Sequence, residues 1–291
     1  MRKAALVFGG AGFIGSHLLR FLSETGEYDA LVCADIAPTP RFETKGVTYV
    51  SCDVTKSIPA DICPGATEIY NLAAVHTTPG HEEWEYYWAN VLGAANICAF
   101  ATKQEVETIV FTSSIAVYGA TEQPLDELTQ PEPESAYGRS KLQAEIIHRT
   151  WRAEQPDRRR LVVARPAVIY GYQERGNFTR LAGLLERGRF VFPGRKDTIK
   201  SCGYVKDLVA SLRFMLARDE AEVTYNFAHR ERYSSQDICD AFSEVAGFAP
   251  ARLVVPMPVM TLGGLAFEGL NGLGYRTSIN RARVMKLPRL A

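Results

Sequence analysis

The sequence predicts an α/β fold: a doubly wound parallel sheet, with a smaller α+β lobe toward the C-terminal end. Two observations carry the prediction. An apolar run at the start breaks into a glycine turn that opens a helical pattern, and strand-length apolar runs then alternate with helix-length stretches as far as residue 166. With 291 residues, 46% of them hydrophobic, the chain has enough apolar material for a large core.

The first element, KAALVF at 3–8, suits a central parallel strand buried on both faces. GGAGFIGSHLLRFLSETG follows it. Gly10, Gly12 and Gly15 satisfy GxGxxG, and Gly9, Gly12 and Gly15 satisfy GxxGxxG. A tight strand-to-helix turn needs positive φ, a pyrophosphate approaches closest where there is no Cβ, and a helix N-terminus offers free N–H groups. A second strand, ALVCADI, reaches Asp35 about twenty residues past the last glycine, where a carboxylate can accept both ribose hydroxyls and repel a 2′-phosphate. This favours NAD over NADP.

Further strands are expected at VTYVSCDV (47–54), EIYNLAA (68–74), TIVFTSS (108–114) and RLVVARP (160–166), with helices over 82–103 and 136–155. Right-handed crossovers would place a ligand above the carboxyl ends of these strands. Asp53, Asn71 and the cluster Thr112, Ser113, Ser114 lie at those ends. In ESAYGRSKLQAE (134–145), Tyr137 precedes Lys141 by four residues, so the two share a helix face.

Bulk properties exclude several partners. Thirty-three basic residues balance thirty-three acidic ones, with a pI near 7.0, so no global field would attract nucleic acid or an anionic membrane. Six cysteines (Cys33, Cys52, Cys63, Cys98, Cys202, Cys239) lack CxxC or Cys/His spacing. That speaks against a metal site or a disulfide framework and points to a reducing cytoplasm. The opening run is interrupted by glycines and lacks a small-residue cleavage site, unlike a signal peptide. The apolar stretch 258–274 carries Glu268 and five glycines, too broken to span a membrane.

Taken in order, FGGAGFIG, Asp35, CDV, NLAA, NVLGAANI, FTSSIAVYG, AYGRSK, RPAVIYG and GYVKDLV resemble the extended short-chain dehydrogenase/reductase family. Within it, the chain is most similar to the nucleotide-sugar epimerase/dehydratase group, from residue 3 to about 240. The resemblance implies a Rossmann-type domain over 1–169 plus about 198–230, and a substrate lobe over 170–197 plus 231–291. It implies that Gly9, Gly12 and Gly15, with Phe13 and Ile14, cradle the pyrophosphate of NAD while Asp35 holds the adenosine ribose. Asp53 and Val54 would flank the adenine, Leu72, Ala73 and Ala74 would line the nicotinamide side, and Asn90 would brace that floor. Ser113 would touch the cofactor, and Pro166 and Val168 would close over its ring. Ser114, Tyr137 and Lys141 match the catalytic serine and YxxxK pair. An ordinary tyrosine, with a pKa of about 10, needs nearby positive charge to become a base; Lys141 and the nicotinamide would supply it. Lys141 would also bond the nicotinamide ribose.

The same resemblance sorts the reactions. Dehydratases of the group carry an acidic pair just after the serine, and decarboxylases keep a glutamate nearby; here those places are Ile115 and Ala116, and neither moves a proton. Epimerisation of a nucleotide-diphosphate sugar through a bound ketone remains, with an alternative of net hydride transfer by a keto-sugar reductase or hydroxysteroid-type alcohol dehydrogenase. In the lobe, Asn177, Phe178 and Lys200 would contact diphosphate and sugar, Val191 and Phe192 the nucleobase, and Arg276 is a further phosphate candidate on spacing alone. Lys200 stands where the sugar epimerases have a phosphate-binding arginine, and it offers a point charge in place of a bidentate fork. His76 and His81 fall on a loop able to overhang the substrate. Relatives commonly form homodimers through helices equivalent to 82–103 and 136–155, for which Trp84, Tyr86, Tyr87 and Phe100 would supply apolar surface or core.

Overall fold

The computed structural model describes residues 3–37, 39–77 and 80–260. Arg276, and the part of the 258–274 stretch beyond residue 260, lie outside the described residues. The chain divides into two compact units. One comprises Met1–Gly119, Leu125–Gln173 and Gly203–Ala228, and the other Ala120–Pro124, Glu174–Cys202 and His229–Ala291.

The chain runs β1 (Ala4–Phe8), α1 (Phe13–Thr25), β2 (Ala30–Asp35), β3 (Val47–Ser51), β4 (Glu68–Asn71) and α2 (Glu83–Tyr86). A π-helical turn (Tyr87–Leu92) leads into α3 (Gly93–Lys103); then come β5 (Thr108–Thr112), a 3-10 turn (Ile115–Tyr118), α4 (Ala136–Ala153), β6 (Arg160–Pro166) and β7 (Val168–Tyr170). The remaining elements are α5 (Asn177–Glu186), β8 (Phe192–Pro193), β9 (Cys202–Tyr204), α6 (Val205–Leu216), β10 (Glu222–Phe227), α7 (Ser235–Ala246) and β11 (Val254–Val255).

In the first unit, seven strands form one parallel sheet in the order β10-β6-β5-β4-β1-β2-β3. The chain winds outward from β1 to β3 and then returns to lay β4 against the other side of β1. That reversal opens a crevice at the carboxyl ends of β1 and β4, where such sheets bind ligands. Alternation along β1 shows why all five of its residues are buried. Ala4, Leu6 and Phe8 join a core with Ile97, Phe100 and Trp151, while Ala5 and Val7 join another with Leu18, Leu19, Leu22 and Leu212. Helices therefore cover both faces.

Three strands stop short of their sequence patterns: β3 at Ser51, β4 at Asn71 and β5 at Thr112. Each leaves the regular ladder at the carboxyl edge, keeping one last backbone bond to a neighbour: Cys52 to Asp35, Leu72 to Phe8 and Ser113 to Ala164. So Asp53, Val54, Leu72, Ala73, Ala74, Ser113 and Ser114 all sit on loops at that edge. β10 escapes a search for apolar runs because Glu222, Thr224 and Asn226 interrupt it. The expected single helix over 82–103 contains the π turn, which inserts extra backbone around Asn90.

The second unit has a small core of Leu185, Phe192 and Cys239, closed by Leu181, Phe190, Phe242, Phe248, Ala251 and Val254. β8 and β11 pair in parallel. Ser234 starts α7 with a capping box, its hydroxyl and the Asp237 carboxylate exchanging bonds with each other's backbone N–H. Among the described residues no helix is long and apolar enough to cross a membrane.

Candidate active site

The glycine turn after β1 is built for close approach. Gly9 takes φ +72°, a region that favours glycine, and a Cβ there would lie 2.6 Å from the Ala73 nitrogen. A Cβ on Gly15 would lie 2.5 Å from the Gly10 Cα. The turn and the 72–74 loop thus pack backbone on backbone. Helix α1 opens from Gly12 with no side-chain cap and no acidic residue in its first turn, leaving its N–H groups and dipole for an anion. Asp35, at the end of β2, accepts hydrogen bonds from the Ala11 and Ala37 nitrogens, each at 3.1 Å. The set fits a dinucleotide: a side-chain-free cradle for a diphosphate, with a carboxylate at the adjacent strand end.

Asp53 is committed to its own turn, accepting from the Thr55 nitrogen at 3.0 Å and the Thr55 hydroxyl at 2.7 Å, and these bonds hold its carboxyl below the usual range. Asn90, buried on the π turn, accepts from the Val75 nitrogen at 2.8 Å and donates to the Val75 carbonyl and to Ser140 Oγ. It ties the loop after β4 to α4. Pro166 is buried at the end of β6, and Val168 is partly exposed on β7.

Ser114 and Tyr137 come together in the first unit, with Lys141 one turn further along α4. Ser114 caps the 3-10 turn, accepting from the Ala116 nitrogen at 3.1 Å, so its own proton is free to donate. Ser135 caps α4 through the Gly138 nitrogen at 3.0 Å. Gly138 then lies so close to the 3-10 turn that a Cβ would come within 2.3 Å of the Ala116 carbonyl oxygen. This contact brings the first turn of α4 against Ser114, whose hydroxyl hydrogen-bonds the Tyr137 phenol.

Lys141 is 2% exposed and holds its ammonium 4.4 Å above the centre of the Phe111 ring. Burial pushes its pKa down to about 7, with Glu145 opposing the fall. The Tyr137 pKa is raised, chiefly by burial, while the Ser114 bond favours the ionised form and Tyr86 disfavours it. The resemblance implies that Lys141 and a bound nicotinamide together favour the phenolate. In the protein alone, desolvation outweighs the neighbours and Tyr137 keeps its proton.

Several residues around the site escaped the sequence reading. Phe111 stacks on His148 at 4.3 Å; the imidazole meets the Ala144 carbonyl at 2.7 Å and the Asn71 amide at 3.2 Å. Asn71 in turn accepts from the Ala73 nitrogen, joining α4 to the loop beside Gly9. Burial pushes His148 down to about 4, so it is neutral near pH 7. Ser113, expected at the cofactor, is buried near Glu145 without a well-formed hydrogen bond.

In the second unit, Asn177 is exposed at the start of α5 and accepts from Arg180 at 3.3 Å; Phe178 is partly buried behind it. Phe192 is fully buried in the core, which leaves Val191 as the accessible side chain of that expected pair. Burial lowers Lys200 to about 8. His81 pairs with Glu85 at 3.2 Å, and the His76 ring bonds the Ala74 backbone. Tyr86 and Phe100 are core, whereas Trp84 is 64% exposed.

Residues 5–228 match the family described as the NAD dependent epimerase/dehydratase family. The chain is 30% identical over 289 residues, 98% of its length and 86% of the relative's, to the N-acetyl-alpha-D-glucosaminyl-diphospho-ditrans,octacis-undecaprenol 4-epimerase of Escherichia coli O157:H7. It is 28% identical, over 88% of its length and 76% of the relative's, to a putative dihydroflavonol 4-reductase of Synechocystis sp.. Among solved structures, MoeE5 in complex with UDP-glucuronic acid and NAD superposes with a TM-score of 0.77 at 26% identity, covering 87% of this chain and 85% of that one. With the glycine cradle, Asp35 and the serine–tyrosine–lysine cluster in place, this match over most of the sequence assigns the chain to the NAD dependent epimerase/dehydratase family, as an enzyme whose cofactor is NAD.

Proposed function

We propose that this protein epimerises a nucleotide-diphosphate sugar through a transient keto sugar, with Tyr137 as the acid/base. The observation that carries the proposal is the meeting of Ser114 and Tyr137 at the carboxyl edge of the sheet, with buried Lys141 one turn along α4, in a family whose similar structures include a complex with UDP-glucuronic acid and NAD. Gly9, Gly12, Phe13, Ile14, Gly15 and Asp35 would hold NAD, which when bound supplies a hydride acceptor and donor beside a positively charged ring. Ser114 orients the sugar hydroxyl and stabilises charge on its oxygen as the carbonyl forms. Tyr137 takes the hydroxyl proton and returns it after the keto sugar has turned its other face. Lys141 supplies the positive charge that lowers the cost of the phenolate. Ile115 and Ala116 provide no second acid or base, which keeps the reaction to inversion.

In the second unit we assign Asn177, Phe178, Val191 and Lys200 to the nucleotide-sugar, with Phe192 acting as support for Val191. The six cysteines are buried and free, in keeping with a cytoplasmic enzyme. Trp84, Trp88 and Ile146, all more than half exposed on the helical stretch 83–103 and on α4, support a homodimer seam.

A second reading concerns the carrier. A relative similar over nearly the whole chain is named for a sugar on a diphospho-undecaprenol, and a polyprenyl diphosphate offers the same dianion without a nucleobase. The test supplies UDP-, GDP- and dTDP-sugars in parallel with an undecaprenyl diphosphate sugar to the NAD-loaded protein, following epimer formation by chromatography and the reduced-nicotinamide absorbance. Epimer from a nucleotide sugar with flat absorbance supports the first reading, and epimer from the lipid-linked sugar alone transfers it to the second. Net absorbance change selects the oxidoreductase alternative, and inertness toward every sugar refutes both carrier readings.

A further inference from the structure

Asn71 and Phe111 are register partners at the carboxyl ends of β4 and β5, so their side chains leave the sheet on one face, and both meet His148 on α4. Their contacts fix the imidazole atom by atom. The Ala73 nitrogen donates to Asn71 Oδ1 at 3.2 Å, which turns the amide Nδ2 toward His148 Nε2, also at 3.2 Å. An amide N–H can only donate, so Nε2 must offer a lone pair. On the other side of the ring, Nδ1 lies 2.7 Å from the Ala144 carbonyl oxygen, which can only accept, so the proton sits on Nδ1. Both ends of the ring demand the same tautomer, and burial favours the neutral form that it needs.

His148 and Asn71 are 0% and 2% exposed. Stability alone does not call for such a pair, since apolar groups of the same shape can often replace both partners of a buried hydrogen bond at little cost. What the pair does is hold backbone. The Ala73 nitrogen at the far end of the chain is the atom that a Cβ on Gly9 would approach to 2.6 Å, with the Leu72 carbonyl carbon next at 2.7 Å. The bond from Ala73 to Asn71 therefore governs how the 72–74 loop lies against the glycine turn, and the Asn71 amide cannot swing while His148 holds its Nδ2. We infer that His148 is a positioning residue for the dinucleotide: the lone pair on its Nε2 locks the Asn71 amide, which holds the Ala73 backbone against Gly9 and so shapes the floor on which NAD rests. The inference rests on reading the glycine turn and the 72–74 loop as that floor.

The test combines NAD calorimetry on the full chain with imidazole ¹⁵N spectra of protein carrying labelled histidine, the His148 signals being identified by their loss in a variant. H148F keeps a ring stacked on Phe111, whose face also carries the Lys141 ammonium at 4.4 Å, and removes only the hydrogen bonds. It should bind NAD about tenfold more weakly. H148Q places an amide oxygen where Nε2 was and should recover binding to within about threefold of wild type. N71A should weaken binding as H148F does, and H148F added to N71A should cost nothing further, because the histidine acts through the asparagine. The spectra at about pH 7 should show the Nδ1–H tautomer. NAD binding unchanged in H148F, losses that multiply in the double variant, or an Nε2–H tautomer would each overturn the inference, and so would failure of both H148F and H148Q to fold, which would make the histidine purely structural. If N71A does not fold, the comparison of H148F with H148Q decides alone. Failure of the cofactor-floor reading would appear separately, as undiminished NAD binding in G9A, whereas the tautomer is read without NAD.

Discussion

Lys141 should make the protein less stable wherever it is charged, and the size of that effect follows from its surroundings. Its pKa falls from 10.5 to about 7 on folding. A group depressed in this way binds its proton more tightly in the unfolded chain, so the penalty is fully present below about 7 and fades as pH rises toward 10.5. The interval corresponds to about 5 kcal/mol. In K141M the apolar stem stays against Phe111 and the charge is gone. The variant should gain stability over wild type at about pH 6 and lose nearly all of that advantage by about pH 10, a change of about 4 kcal/mol in the difference between the two proteins. Any packing difference between lysine and methionine is constant in pH and drops out of this change, as does every titrating group that the Lys141 charge does not reach. Urea unfolding of the NAD-free proteins, followed by tryptophan fluorescence across this range, measures it directly. A gap that stays constant with pH would refute the reasoning, because it would mean that folding does not bury the ammonium.

Other perturbations test the remaining parts of the site. Y137F should lose epimerisation by about a hundredfold to ten-thousandfold while still binding NAD, as judged by turnover and by calorimetry on the same sample. D35A should weaken NAD binding by about tenfold to a hundredfold, from the loss of charged hydrogen bonds, and should narrow the preference for NAD over NADP. G9A meets both the positive φ and the 2.6 Å approach to Ala73, so titration calorimetry should detect little or no NAD binding in protein that still unfolds cooperatively. G138A presses a methyl group against the Ala116 carbonyl and should lower kcat more than it weakens NAD binding, since it displaces the start of α4 and leaves the glycine turn alone.

The sheet and the cofactor cradle were legible because each depends on local rules. A buried parallel strand must be an apolar run, and a turn that admits a diphosphate must give up its side chains. β10 was not legible, since its place is set by pairing with β6 and its sequence alternates with polar residues. The role of Phe192 was misread for a related reason. Spacing places a residue along the chain but does not show whether it points into a core, and Phe192 does. The burial that raises Tyr137 and lowers Lys141 was not legible either, because a sequence shows the lysine one turn along the helix and hides the desolvation around both.

Helix α4 shows where a sharper reading was available. Tyr137, Lys141, Glu145 and His148 sit at intervals of four, four and three, which keeps them on one face, and that face also holds Ala144 and Trp151, both buried. On an ordinary surface helix such a row of polar groups would look outward, with the apolar stripe turned in. Here the exposed Ile146 lies on the far side and the ionisable groups lie inside, the reverse of what burial energetics would select. Each inward group must then be held by something the helix does not contain: Phe111 and Asn71 at His148, Arg165 at Glu145, Ser114 at Tyr137. Those partners come from three strand ends and one turn, so they become visible only once the sheet has been assembled. The inverted stripe can be read from the sequence of one helix, and it sets the ionisable groups of α4 against the carboxyl ends of strands β4, β5 and β6.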